Sequence, residues 1–188
     1  MRQQYMSQTV VLYTRILRYR MIALNKSDVS WNIHLNTPAR SLKCVLLLFE
    51  DPAPGAMGPA FGRNSEFYYN PRITKEQVTV EGIPNQLYAQ GMHPYQQWDE
   101  IVKGFACKDS STDMSTYFRN WYALWPDFRS SDDQKLHGSG RRLENTSEGV
   151  TLQLDKTAER AGPLNCYVYR VIDAQLSIGS GQLISVIF

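Results

Sequence analysis

This 188-residue sequence has few of the residues that build metal sites, disulfide frameworks or membrane spans. Its three cysteines, Cys44, Cys107 and Cys166, are widely spaced, and no two of them form a CxxC pair. Its longest uninterrupted apolar run, residues 44–49, is strand-sized, whereas a membrane-spanning helix needs about 18 apolar residues. We therefore expect no zinc site, no disulfide framework and no transmembrane helix. Cys44 and Cys166 lie in apolar runs, so we expect them to pack as small hydrophobic residues.

The sequence also has few residues suited to catalysis. None of the three histidines, His34, His93 and His137, has a companion that completes a catalytic or metal site. Asp132 and Asp133 lie near His137, but a cupin-like metal site on a jelly roll needs a His-x-His pair, which is missing. The Gly-x-Ser-x-Gly elbow of hydrolases is missing as well. We expect no catalytic residue, no metal ligand and no cofactor.

Two further features are compatible with ligand binding. Residues 138–142 combine glycines with two arginines, which suits a phosphate, but they lack the lysine and the length of a P-loop. A tight turn with exposed arginines is the favoured interpretation. Trp98, Trp121 and Trp125 are candidate stacking platforms of a carbohydrate-binding or lectin-like module, provided that their rings line an open groove.

Charge is unevenly distributed along the chain. The first 27 residues contain five basic side chains and no acidic one, so the remaining fifteen basic and eighteen acidic groups give −3. An organellar transit peptide and a nucleic-acid-binding arm both remain open for this segment. The few serines and the strand-like residues 18–24 argue against a transit peptide, and the charge is too dilute to favour the arm. We divide the chain into a basic N-terminal segment, residues 1–28, partly unstructured, and a single domain, residues 29–188.

Apolar residues recur with a period of two through most of the chain, which is typical of half-buried strands. From Pro94 the spacing becomes helical, and it predicts one short helix that ends at Gly104 or soon after. Proline and glycine make residues 51–72 a long loop. The aromatic cluster Tyr117, Phe118, Trp121, Tyr122 and Trp125 is expected in the core, as helix or strand. The predicted strands are 31–35, 42–50, 77–81 with an extension at 87–88, 150–154, 166–178 and 183–188, and the pattern of residues 18–24 is equally typical of a strand.

These elements predict the fold class. A chain of 188 residues, 43% of them apolar, is long enough to bury a core without disulfides or metals. Seven or eight strands with few helices and long connections indicate an all-β fold of two stacked antiparallel sheets. We expect a jelly-roll sandwich with one or two short helices in its loops.

Three stretches of the sequence carry a resemblance. They are residues 31–49, with a strand, a proline-containing bend and an apolar strand; residues 69–88 leading to the helix at Trp98; and segments between residues 122 and 178. In this order they cover roughly residues 30–188 and resemble the C-terminal jelly roll of double jelly-roll major capsid proteins, in particular those of adintoviruses and Polinton (Maverick) elements.

The resemblance implies a structural, non-enzymatic protein located in a virion capsid. Its partners would be copies of itself or other capsid proteins, with no membrane, specific nucleic acid or small-molecule substrate. Because the family has two jelly rolls in one chain, the resemblance implies that the N-terminal one is missing here, as in a fragment or an endogenous remnant. An exposed sheet face or edge should then favour self-association.

Overall fold

The structure is a computed structural model that describes residues 9–35, 41–52, 68–85, 90–104, 113–129, 140–143, 149–179 and 182–187. These described residues form nine strands and two helices. In chain order the elements are β1 (Thr9–Asn25), β2 (Ser30–Leu35), β3 (Leu42–Glu50), β4 (Ile73–Val80), β5 (Ile83–Pro84), α1 (Pro94–Gly104), α2 (Met114–Asn120), β6 (Ala123–Leu124), β7 (Val150–Lys156), β8 (Pro163–Gly179) and β9 (Gln182–Ile187).

The strands form two antiparallel sheets with jelly-roll connectivity. Sheet A has the order β1-β8-β3-β6, and β9 also pairs with β8, while sheet B has the order β2-β7-β4-β5. Consecutive strands cross from one sheet to the other, except from β4 to β5 and from β8 to β9. This interleaving is typical of a jelly roll. The predicted all-β fold with two antiparallel sheets is confirmed.

Alternation in the sequence explains the strands well. In β2, the side chains of Trp31, Ile33 and Leu35 are buried, and those between them are exposed. β7 pairs with β2 in register and buries alternate residues in the same way, so both strands direct one apolar face towards sheet A. The predicted strand 42–50 agrees with β3, and the predicted helix agrees with α1, which runs from Pro94 to Gly104.

The centre of the core is a chain of aromatic rings between the sheets and the helices. Trp31 of sheet B stacks on Phe49 of sheet A, with ring centroids 6.0 Å apart. Phe49 lies 6.1 Å from Tyr122, and Tyr122 lies 5.4 Å from Tyr117 of α2. The hydroxyl of Tyr117 donates a hydrogen bond to the carbonyl of Ala123. Aromatic packing therefore fixes the position of α2 and the following chain against both sheets.

The structure decides the conformation of the predicted aromatic cluster. Tyr117 and Phe118 lie in α2, which begins after Asp113, whose carboxylate caps the backbone N–H of Thr116. The prediction that the whole cluster lies in the core is wrong for Trp121, because this residue ends the helix and its side chain is 52% exposed.

Two strands differ in extent from the sequence prediction. β4 begins at Ile73, four residues before the predicted start at 77, and a register shift between Ile73 and Lys75 interrupts its alternation. In β8, alternate apolar residues from Cys166 to Ile178 are expected to share one face. Those up to Ala174 are buried, but Leu176 and Ile178 are only half-buried. The reason is that β8 is 17 residues long and extends past the shorter strands of sheet B.

The structure places residues 9–25 in strand β1, which pairs with β8 along its whole length. A division of the chain at residue 28 stays a prediction. None of the described helices has the length and the hydropathy to cross a membrane. Several predictions fall outside the described residues: the break at Pro38, most of the loop 51–72, the strand extension at 87–88, Cys107, Asp132, Asp133, His137 and the first two residues of 138–142.

Candidate interaction surface

Strand β1 forms an edge of sheet A. Of the strands that the structure describes, only β8 pairs with it, in a register that runs from Thr9 opposite Ile178 to Asn25 opposite Pro163. The other side of β8 is occupied by β3 and β9. The outer edge of β1 is therefore a row of backbone N–H and C=O groups that no described strand pairs.

This strand also exposes apolar side chains. Val11, Leu12 and Ile16 are 40%, 74% and 54% exposed. A register shift between Arg18 and Arg20 marks a bulge in β1. Residues 11–18 come before this bulge, pair regularly with β8 and have described side chains. We refer to these residues as the β1 edge. At about 3.4 Å per residue, β1 is roughly 55 Å long and β2 roughly 20 Å, so β1 extends beyond sheet B.

The β1 edge is basic. Arg15, Arg18 and Arg20 of β1 are exposed, and β1 contains no acidic residue. The guanidinium group of Arg18 lies 4.9 Å from the centroid of the Tyr167 ring, and Arg20 donates a hydrogen bond to the carbonyl of His34.

The one acidic residue of the neighbouring strand β8 is Asp173. Its carboxylate is held by Lys43 Nζ at 2.6 Å and by Ser41 Oγ at 2.7 Å. The side chain of Lys43 is almost fully buried, and it also donates to the hydroxyl of Thr14 in β1. This ion pair therefore joins β3 and β8 to β1.

The outer face of sheet A is a second apolar surface. Leu46 pairs with Tyr169, and Leu48 pairs with Tyr167, on the face opposite the core-facing residues of β3 and β8. All four side chains are half-buried, and the hydroxyl of Tyr167 donates a hydrogen bond to Glu50. Paired leucine and tyrosine side chains on an outer sheet face are typical of a surface that packs against another protein.

A charged cluster closes one end of the sandwich. Lys26, in the turn after β1, forms an ion pair with Asp51 at the end of β3 and lies 4.9 Å from the Tyr69 ring centroid. The Tyr69 hydroxyl bonds to Glu159, and burial together with this carboxylate raises the pKa of Tyr69. Lys156 Nζ donates to the carbonyl of Lys26 at 2.7 Å. These contacts join the ends of β1, β3 and β7, which is a structural role.

Glu76 is the most unusual titratable residue of the described part. Its side chain is fully buried, and neither carboxylate oxygen has a hydrogen-bond partner there. Burial, followed by the nearby charge of Glu100, raises its pKa to about 8. Its backbone exchanges two hydrogen bonds with Met92, just before α1, so the carboxyl group lies beneath the helices. Glu76 is therefore held neutral in the core near Tyr117 and Tyr122. Burial is the main cause that raises the pKa of both tyrosines, and ionised Glu76 would raise these pKa values further.

Two of the three histidines, His34 and His93, lie in the part of the chain that the structure describes. His34 is exposed on β2, with Nδ1 3.0 Å from the Thr151 hydroxyl, and His93 is exposed immediately before α1. In the part of the chain that the structure describes, no three His, Cys, Asp or Glu side chains are close enough to hold a metal ion.

The described part of 138–142 forms an edge contact with β3. Leu42 and Arg141 exchange two backbone hydrogen bonds of 2.8 Å, and the N–H of Gly140 donates to Ser41 Oγ at 2.9 Å. A Cβ atom at Gly140 would lie 2.5 Å from the carbonyl of Leu42, so only glycine fits. Arg141 and Arg142 are exposed, as the turn interpretation predicts. Because Leu42 and Ser41 accept the backbone N–H groups of Arg141 and Gly140, these two described donors are not available to a phosphate.

The three tryptophans do not form a common platform. Trp125 is fully buried, Trp98 packs against the core and lies 5.6 Å from the Tyr95 ring, and Trp121 alone of the three is largely exposed. The carbohydrate-binding alternative is therefore not favoured.

Cys44 and Cys166 are fully buried, as expected of small hydrophobic residues in a core. Burial raises the pKa of both thiols, that of Cys166 to about 12, so neither forms the reactive thiolate at neutral pH.

No family model and no curated protein matches this sequence. Solved structures do match the fold. PBCV-1 VP54, fitted into a reconstruction of the virophage Sputnik, aligns with a TM-score of 0.58 and 14% identity over 97% of this chain and 52% of its own. A quasi-atomic model of the PBCV-1 capsid aligns with a TM-score of 0.52 and 13% identity, over 96% of this chain and 52% of its own. The Faustovirus major capsid protein aligns with a TM-score of 0.51 and 10% identity, over 95% of this chain and 34% of its own.

The chain has the fold of a viral capsid jelly roll. At identities of 10 to 14% the likeness shows the fold alone. The chain spans about half the length of the first two matched structures.

Two features of this capsid-type jelly roll were not predicted from the sequence. The β1 edge lacks the alternation that marks the other strands, so its pairing with β8 had no periodic signal. The burial of Glu76 did have a periodic signal. Glu76 lies two and four residues before Val78 and Val80, so a strand that begins before residue 77 places all three side chains on the same inner face.

Proposed function

We propose that this chain is a structural capsid domain that acts through protein–protein contacts and catalyses no reaction. The observation that carries the proposal is the shared jelly-roll fold, which covers 95% or more of the chain in each of three capsid-related structures. Its site of action is the virion shell. Its partners are copies of itself or other capsid proteins.

Two surfaces support this role. The outer face of sheet A offers paired leucine and tyrosine side chains, and the β1 edge offers open backbone groups. A standard protein interface buries on the order of 1,600 Å² in total. A second jelly roll of similar size is a suitable partner for such surfaces, and the matched PBCV-1 structures are about twice as long as this chain.

The proposal also includes the type of capsid protein to which the chain is related. We assign the chain to the adintovirus and Polinton type of capsid protein. The support is the resemblance of residues 31–49, 69–88 and 122–178, in the family's order.

Self-association of the purified chain tests the proposed function. We expect oligomers whose proportion grows with concentration, measured by size-exclusion chromatography with light scattering and by negative-stain microscopy. Tyr169→Lys, on the outer face of sheet A, should reduce association, whereas Gln153→Lys, on the exposed side of β7, should not. A compact monomer at high concentration would count against a shell-forming role.

A further inference from the structure

The carboxyl group of Glu76 lies in the core beneath α1 and α2, which we refer to together as the helix layer. Its side chain is on the inner face of β4 with Val78 and Val80, and all three are fully buried. Neither carboxylate oxygen has a hydrogen-bond partner among the described residues. A carboxylate without a partner is strongly destabilised in a core, so this group is protonated there and must reach water once it ionises.

The polar side chains around Glu76 form hydrogen bonds with other groups. Gln97 of α1 donates to the carbonyl of Met92 at 3.3 Å and accepts from the hydroxyl of Tyr122 at 3.0 Å. The hydroxyl of Tyr117 in α2 donates to a backbone carbonyl in β6. In this closed arrangement Glu76 receives no hydrogen bond from them.

The titratable groups that act on Glu76 do not stabilise its anion. From α1, the charge of Glu100 adds to the effect of burial and raises the pKa of Glu76 further. From α2 and the chain after it come Tyr117 and Tyr122, whose own pKa values are raised by burial, so both phenols stay neutral. The residue opposite Glu76 in β7 is the apolar Leu154. Ionisation of Glu76 therefore adds a second negative charge beneath α1.

The helices are easier to displace than the strand that carries Glu76. β4 lies between β7 and β5 in sheet B and pairs with β7 from Ile73 to Val80. α1 and α2 have eleven and seven residues, and helices of this length are marginally stable away from a packing surface. Opening one part of a protein costs less free energy than global unfolding. We propose that the helix layer opens away from the two sheets when Glu76 ionises, while both sheets stay paired.

The direction of the pH dependence follows from linkage. In the closed structure the pKa of Glu76 is about 8, and in the open form it returns towards its ordinary value of 4.5. Between these values the closed form holds a proton that the open form releases, so raising the pH favours opening. The equilibrium constant for opening should rise about tenfold per pH unit in this interval and level off above about pH 8.

Hydrogen exchange of the full chain, read by mass spectrometry at pH 5.5, 6.5 and 7.5, tests the proposal. Labelling times are scaled to the intrinsic exchange rate at each pH. We expect α1 and α2 to be at least about tenfold less protected than β3 and β7, because the helices open without the sheets. Helix protection should also fall by about tenfold per pH unit. Strand protection decreases with pH too, since global unfolding exposes Glu76, so the lower level in the helices is the sign of separate opening.

Two variants separate the role of Glu76 from other effects of pH. Glu76→Gln keeps the shape of the side chain but does not ionise, so its helix protection should be the same at all three pH values. Glu81→Gln removes an exposed carboxylate in the turn after β4 and should keep the pH dependence of the natural sequence. A pH dependence of helix protection that persists in Glu76→Gln would mean that another group controls the opening, and the proposal would be wrong.

Two results with the natural sequence would also overturn the proposal. Equal protection in helices and strands would mean that the helices open only when the whole domain unfolds. Helices that open separately but with the same protection at every pH would mean that Glu76 stays covered during the opening. Both comparisons remain decisive if a variant fails to fold, and they are independent of whether the chain forms shells.

Discussion

The buried carboxyl group of Glu76 should make the stability of this protein decrease as the pH rises. Its pKa is about 8 in the folded protein, against an ordinary value of 4.5. Between these two values the folded chain keeps a proton that the unfolded chain releases, so unfolding releases protons and the free energy of unfolding falls with pH. The contribution is fully present below pH 4.5 and is lost as the pH passes through about 8.

The size of this effect follows from the same two values. Each pH unit in the interval changes the free energy of unfolding by about 1.4 kcal/mol, so the interval from 4.5 to about 8 is worth on the order of 5 kcal/mol. Small domains are typically stable by about 5–15 kcal/mol, so ionisation of Glu76 removes a large part of the total. Glu76→Gln should abolish the dependence, because the amide stays neutral at every pH.

Urea unfolding followed by tryptophan fluorescence at pH 5 to 9 measures this effect. We expect Glu76→Gln to become progressively more stable than the natural sequence as the pH rises, and to exceed it by several kcal/mol, on the order of the value above, at pH 8.5. The matched control is Glu81→Gln, an exposed carboxylate in the turn after β4, which should show no pH-dependent difference. A constant difference between Glu76→Gln and the natural sequence at all pH values would refute the reasoning.

Three further predictions concern packing, and all are measured as changes in the free energy of unfolding. Gly140→Ala should destabilise the protein by about 1–3 kcal/mol, because its Cβ would meet the backbone of β3, whereas Gly162→Ala, whose Cβ has no neighbour closer than 3.7 Å, should change stability by less than about 0.5 kcal/mol. Trp125→Ala should cost about 3–5 kcal/mol because it leaves a cavity in the core, and Trp121→Ala, with its ring half in solvent, should cost less than about 1 kcal/mol. Lys43→Met should lower the free energy of unfolding by about 2 kcal/mol. This is less than the usual loss for a broken buried ion pair, because the carboxylate of Asp173 is 31% exposed and can be hydrated. An unchanged free energy of unfolding would show that the ion pair does not stabilise the protein.

Period-two alternation in the sequence determined the strands that have one buried face. In β2 this alternation is carried by Trp31, Ile33 and Leu35. A different local signal, the nearly continuous apolar run from Leu42 to Glu50, predicted β3 with the bounds that the structure has. The start of α1 at Pro94 was also local, because proline suits the first turn of a helix and the apolar spacing changes there. Each of these signals depends only on neighbouring residues, which is why it can be recognised without the fold.

The tertiary structure alone decided which strands are edges and which polar groups are buried. Residues 9–16 of β1 mix apolar and polar side chains without alternation, and they form a strand because β8 supplies hydrogen bonds along all of β1. Glu76 is neutral because the helices cover it, and Trp121 is exposed because α2 ends there. Hydrogen bonds between strands and desolvation by distant segments depend on residues far apart in the chain, so local sequence patterns do not specify them.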